Sequence, residues 1–212
     1  MSIDLDARGM ARITVTNWFL GTAAGPFRKS YNEMLPEDRR RHHLELVGGV
    51  AKSAEAASDL VTETTAYPSY RTFAVTAANY AVAEGNTLTL LIPEVTGALF
   101  PLRADTRESP LFLGATDTSE RVCRITLPPG YTRLPLLPEP KSWMLPCGFG
   151  SLEYTVTATT RPDARREVCI TRTLKRASGE ASPELYPALL EYNRRFTHPS
   201  MRTLVAERPA TP

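Results

Sequence analysis

The sequence predicts a mainly β fold: an antiparallel β-sandwich or twisted sheet, with an N-terminal helical insertion and a C-terminal helix. Two observations carry that expectation. Segments Val122–Leu127, Leu152–Ala158 and Glu167–Leu174 alternate apolar and polar residues with period two, the pattern of strands with one face in a core and one in water. Thus Cys123, Ile125 and Leu127 alternate with Arg124 and Thr126, and Leu152, Tyr154 and Val156 with Glu153, Thr155 and Thr157. The chain also carries 18 prolines in 212 residues. Proline interrupts ladders and collects at strand ends, which favours many short strands over a helical bundle.

Taken in order, Ala11–Leu20 reads as a strand with Ile13, Val15 and Phe19 on one face and Thr14, Thr16 and Trp18 on the other. Gly25-Pro26 opens a helical stretch. Pro36-Glu37-Asp38 starts a second helix, since proline suits a first helical position and acids suit the positive end of the dipole. Gly48-Gly49 is expected to end it near Val47. This segment, about 26–47, is the only candidate boundary in what reads as a single β-rich domain over residues 1–212. Ala54–Glu63 is a weaker strand candidate. Arg71–Tyr80 and Thr87–Ile92 are expected to pair around the turn Glu84-Gly85-Asn86, and Thr96–Ser109 is irregular.

Strands Pro110–Leu113, Arg121–Leu127, Trp143–Leu145, Leu152–Thr160 and Arg166–Lys175 follow at near-regular spacing. Pro128-Pro129-Gly130 makes a sharp exit, and Arg161-Pro162-Asp163 a hairpin tip. Ser182-Pro183-Glu184 starts the last helix, whose Leu185, Leu189, Tyr192 and Phe196 fall at helical spacing and are expected to cover one face of the sheet. Pro199 stops it, and Thr203–Ala206 is a short final strand.

Composition narrows function by exclusion. Hydrophobic residues at 42% and charged residues at 23% suit a globular domain with a sizeable core. A net charge of +2 gives no field directed at nucleic acid or anionic lipid. No segment reaches the roughly 18 apolar residues of a membrane span. The opening MSIDLDARGMARITV lacks the pattern of a signal peptide and begins on a strand-like run, which suggests the tail of a longer protein.

Candidate chemical groups are sparse. Cys123, Cys147 and Cys169 have neither metal-type spacing nor a nearby histidine, so neither a metal nor a cofactor is expected. Cys123 and Cys169 read as small buried hydrophobes, with a bridge between them as the alternative. Cys147 lies in Pro146-Cys147-Gly148-Phe149-Gly150, which reads as a turn; a nucleophilic role would need a helix N-terminus or a base beside the thiol. His42 and His43 follow Arg39, Arg40 and Arg41 on the second helix, about 100° apart and badly placed to chelate one ion. All three histidines, including His198, read as surface residues. The basic run Arg39–Arg41 and the charged cluster Arg103, Asp105, Arg107 and Glu108 are candidate docking surfaces. Arg172 falls in phase with Val168, Ile170 and Leu174, where an apolar residue belongs, so it needs an acid such as Glu153 or Glu167, or a route to water.

The ordered series Phe27-Arg28, Leu35-Pro36-Glu37, Tyr67-Pro68, Tyr80-Ala81-Val82, Leu91-Ile92-Pro93, Arg107-Glu108-Ser109-Pro110-Leu111, Ile125-Thr126-Leu127-Pro128-Pro129-Gly130-Tyr131, Leu134-Pro135, Arg172-Thr173-Leu174 and Pro183-Glu184-Leu185-Tyr186 supports a resemblance. The chain, from about Ala11 to Ala206, resembles the C-terminal part of large bacterial proteins in which a transglutaminase-like, papain-fold domain lies between β-rich domains of unknown function. The resemblance implies a non-catalytic accessory module that positions or docks a covalently linked catalytic domain or its targets. It places any Cys-His-Asp set upstream of Met1, and it implies the cell envelope or periplasm, with other envelope proteins as further partners. Two other readings stand beside it: a free-standing cysteine-dependent hydrolase using Cys147 with His198, and a carbohydrate- or protein-binding sandwich acting alone.

Overall fold

The computed structural model describes residues 1–93, 97–100, 102, 106–114 and 116–209. In chain order these form β1 (Ser2–Leu5), β2 (Ala11–Phe19), α1 (Ala24–Glu33), α2 (Pro36–Val50), β3 (Ala54–Ala56), β4 (Val61–Glu63), β5 (Ser69–Ala77), β6 (Val82–Glu84), β7 (Thr87–Leu91) and β8 (Leu111–Leu113). They continue as β9 (Asp117–Thr126), β10 (Arg133–Leu136), β11 (Lys141–Met144), β12 (Gly150–Thr160), β13 (Arg166–Arg176), β14 (Gly179–Ala181), α3 (Tyr186–Thr197) and β15 (Thr203–Glu207). The fold is mainly β, with helices near the N-terminus and the C-terminus.

A nine-stranded sheet runs β11-β12-β13-β9-β1-β2-β5-β3, with β4 also on β5. A four-stranded sheet runs β10-β15-β7-β6, and β14 pairs with β8. The pairings are antiparallel apart from β1 on β9, where Ser2 and Ile3 lie beside Arg124 and Ile125. The Met1 ammonium continues that ladder, donating to the Val122 carbonyl at 2.8 Å. β12 and β13 form the longest ladder, closed at the expected hairpin tip by the Arg161 amide on the Arg165 carbonyl.

The alternation read from the sequence sorts the large sheet into two faces. Ile3, Ile13, Val15, Phe73, Val75, Cys123, Ile125, Leu152, Tyr154, Val168, Ile170 and Leu174 share the inner face and are buried. They join one continuous apolar core with Leu88 and Leu90 of β7, Leu204 and Ala206 of β15, and Leu189 and Phe196 of α3. Phe196 meets Trp143 and Tyr154 edge-on at 5.8 Å. At the other end α1 and α2 cover the same face: Phe27 stacks on Phe19 at 4.0 Å, and Val47 reaches the core beside Phe73. The sheet supplies an apolar stripe for each amphipathic helix to cover.

Four expectations need correction. Thr87–Leu91 does not pair with the strand before it: β5 lies in the large sheet between β2 and β3, while β7 pairs with β6 and β15. The Gly85 turn, with φ of 57°, joins β6 to β7 instead. The cause is burial, because Phe73, Ala74 and Val75 make β5 a strand covered on both faces in mid-course. Gly48-Gly49 does not stop α2, which continues to Val50. Anchoring by Val47 outweighs the cost of about 1 kcal/mol per glycine. Ala54–Glu63 is not one strand but β3 and β4, interrupted where the amides of Ala57 and Ser58 both approach the Ala74 carbonyl. Leu185 is exposed in a 3₁₀ turn ahead of α3, and Tyr186 takes the buried place expected of it.

Candidate functional site

The basic run of α2 divides, with Arg39 and the two histidines after the run turned toward the neighbouring elements. Arg39 sits over the Tyr31 ring at 5.7 Å and donates to the Tyr31 carbonyl, while Arg41 is ion-paired with Asp38. His42 Nε2 lies 2.9 Å from the Tyr31 hydroxyl, and Arg71 Nη1 lies 3.2 Å from both atoms. Arginine only donates, so its contact with His42 asks for a lone pair on Nε2, which places a ring proton on Nδ1, facing Glu45 at 3.7 Å. Arg71 Nε completes the network on Asn17 Oδ1 at 3.1 Å. His43 meets the Phe73 ring edge-on at 5.8 Å, with Nε2 buried and without a hydrogen-bond partner. The two histidines thus pin α2 to α1 and β5 rather than facing water. Arg40 and Arg41 keep the solvent side of this run.

Within the second docking candidate, Arg103 and Asp105 lie outside the described residues. Arg107 is exposed and donates to the Ser109 carbonyl at 2.9 Å; Glu108 is exposed beside it.

The cysteines are kept apart by sheet geometry. Cys123 is opposite Ile170 on the buried face, whereas Cys169 is opposite Arg124 on the other face. Neighbouring strands cannot bridge two side chains that leave opposite faces, so the alternative disulfide is ruled out, and neither cysteine is in a disulfide. Cys147 is exposed at φ 58° in the turn between β11 and β12, as the glycines around it foretold. His198 is held by Ser200: its Nδ1 lies 2.8 Å from the serine hydroxyl and accepts the Ser200 amide, capping the 3₁₀ turn before β15.

Arg172 is only 7% exposed, on the inner face as its phase required. Its guanidinium lies 5.3 Å from the centre of the Phe196 ring, and its Nε has no hydrogen-bond partner. Burial, then Arg121 directly opposite on β9 and Arg176 further along β13, bring its pKa down to about 10. Neither expected acid serves it. Glu153 leaves the sheet on the other face, and Glu167 accepts from Arg161 at 3.0 Å. Arg176 instead chelates Asp117 through two contacts of 2.6 Å, which hold that carboxyl below its usual range.

No family model, curated protein or solved structure matches this chain. Among the described residues, no group of three or more His, Cys, Asp or Glu is placed to hold a metal ion, and no helix is long and apolar enough to cross a membrane.

One surface escaped the sequence reading. On the outer face of the large sheet most side chains among the described residues are exposed or half-buried, and hydroxyls are frequent. Thr155 and Thr157 of β12 face out beside Thr171 and Cys169 of β13, and Thr16 of β2 lies opposite Thr72 of β5 with 3.0 Å between their hydroxyl oxygens. Trp18, 56% exposed, continues that row against Tyr70, with ring centroids 4.9 Å apart. The signal was present in Thr14-Val15-Thr16-Asn17-Trp18, where alternation put threonines and a tryptophan on one side.

Proposed function

We propose that this chain is a non-catalytic accessory or interaction module of a transglutaminase-like bacterial protein, docking the catalytic domain or positioning its targets. The observation that carries this reading is how the side chains capable of chemistry are used. His42 and His43 hold two helices to the sheet, His198 caps a turn, and Cys123 fills the core. General acid–base or nucleophilic work needs such groups within mutual reach. Cys147 and His198 stand on the β11–β12 turn and after α3, with the imidazole committed to Ser200. The outward cations Arg40, Arg41 and Arg107 are the docking contacts we assign.

The test has two arms. Esterase and peptidase rates of the purified chain are compared with those of Cys147→Ala; activity lost in that variant overturns the accessory reading in favour of a hydrolase. The chain is then titrated into a purified transglutaminase-like domain. Binding weakened by charge reversal at Arg40, Arg41 and Arg107 is expected, and unaltered binding or none counts against the assigned surface.

A further inference from the structure

We propose that the β2–β4–β5 corner of the outer face binds a neutral polysaccharide, with Trp18 and Tyr70 as its stacking platform; this does not rest on the docking reading. Trp18 stands beside the Thr16 and Thr72 hydroxyls at this corner, and it is more than half exposed at 56%. Tyr70 supports it from one strand over at a tilt of 52°. An aromatic face carries negative quadrupole charge, so it attracts the weakly positive C–H groups on the apolar side of a sugar ring. Next in the row, the Thr16 and Thr72 hydroxyls use one hydrogen bond on each other. A hydroxyl offers one donor and two acceptor positions, so the pair retains capacity for ligand groups of the same kind.

Charge selects the class of ligand. The nearest acid in register, Glu63 opposite Tyr70, spends one carboxylate oxygen on the amides of Thr65 and Ala66 and on the Thr65 hydroxyl. Thr16, Trp18, Tyr70, Thr72 and the exposed Val61 carry no charge. The platform therefore suits an uncharged, polyhydroxylated chain rather than an anionic one. Tryptophan and tyrosine also anchor protein interfaces, but threonine and valine are under-represented there, so the hydroxyls of Thr16 and Thr72 beside the platform are what favour a sugar chain. Twist of about 20–25° per strand turns the threonines of β12 and β13 away from this corner, so the site spans only a few sugar units.

Affinity electrophoresis of the intact chain in gels containing hydroxyethylcellulose, xylan or galactomannan tests the proposal. Retardation by at least one of them is expected, with affinity about tenfold weaker in Trp18→Ala and measurably weaker in the fold-conserving Thr16→Val/Thr72→Val pair. Trp18 and Trp143 are the two tryptophans, so in a Trp143→Phe background the remaining emission should shift when the retarding polymer is added. No retardation by any of the three, retardation unchanged in Trp18→Ala, or retardation by alginate alone would each overturn it. Self-association or protein capture that depends on Trp18, without retardation, would assign the corner to a protein and overturn it as well.

Discussion

Arg172 lies under Phe196, its guanidinium 5.3 Å from the ring centre, in a position where every in-phase neighbour from Val168 to Leu174 is apolar. The cation–π contact returns about 1–2 kcal/mol at a desolvated site. A pKa brought from 12.5 to about 10 corresponds to a penalty on the order of 3 kcal/mol for the charged form. Arg172→Met keeps the long stem against Phe196 and removes the charge opposite Arg121. It is expected to stabilise the protein by about 1 kcal/mol, as replacement of buried charges by apolar residues often does. Below about pH 10 the arginine is protonated in both folded and unfolded chains, so the gain in urea midpoint should be the same at pH 6 and pH 9. An unstable variant would show that Arg172 has a compensating partner.

Tyr154 donates its hydroxyl to the Met201 carbonyl at 3.0 Å, tying β12 to the 3₁₀ turn ahead of β15. Tyr154→Phe leaves that carbonyl unsatisfied and should cost about 1–2 kcal/mol. Burial, with a smaller contribution from Cys123, pushes the phenol above the ordinary tyrosine range. The unfolded chain therefore loses this proton first as pH rises past about 10, and the tyrosine's contribution to stability falls. The gap between wild type and Tyr154→Phe should narrow between pH 9 and pH 11 in paired urea titrations.

Tyr31 gathers His42, Arg71 and the Arg39 guanidinium around one ring. Tyr31→Phe retains the stacking and removes the hydroxyl that both His42 and Arg71 use. A loss of about 1–2 kcal/mol is expected, with faster amide exchange in α1 and α2 than in β12 and β13. Uniform exchange across the chain would show that the network does not govern helix docking.

Truncation after Gly179 removes α3 and also β15, which sits between β10 and β7. Tyr154, Trp143 and Leu88 would lose their cover. Aggregation in size-exclusion chromatography is the expected outcome, and a monomer with unchanged melting temperature would contradict the packing of α3 on the sheet.

What was legible in the sequence was local. Period-two alternation located β2, β9, β12 and β13 within a few residues, and Pro36 with Glu37 and Asp38 located the start of α2. Strand partnership beyond the β12–β13 hairpin was not legible, because it is settled by distant surfaces. β1 has four residues, too few to assert a pattern, and its place between β9 and β2 depends on segments more than a hundred residues apart. His42 and His43 looked like a solvated pair because helical phase says nothing about which side meets a sheet. Arg172 stood out as misplaced in phase, but its surroundings required the fold.

The glycines separate conformational need from mere presence. Gly150 holds φ at 111°, and a Cβ there would lie 1.9 Å from the Lys175 carbonyl oxygen across the β12–β13 ladder. Gly150→Ala should cost more than about 2 kcal/mol, since neither the backbone angle nor the partner strand can yield cheaply. Gly48 lies inside α2 with open space around the added methyl. Gly48→Ala should instead stabilise the chain by about 0.5–1 kcal/mol through helix propensity. Urea midpoints moving in opposite directions for the two variants would support both assignments. Two losses would mean that α2 needs Gly48 for a contact of its own, and a harmless Gly150→Ala would contradict the tight approach of β12 to Lys175.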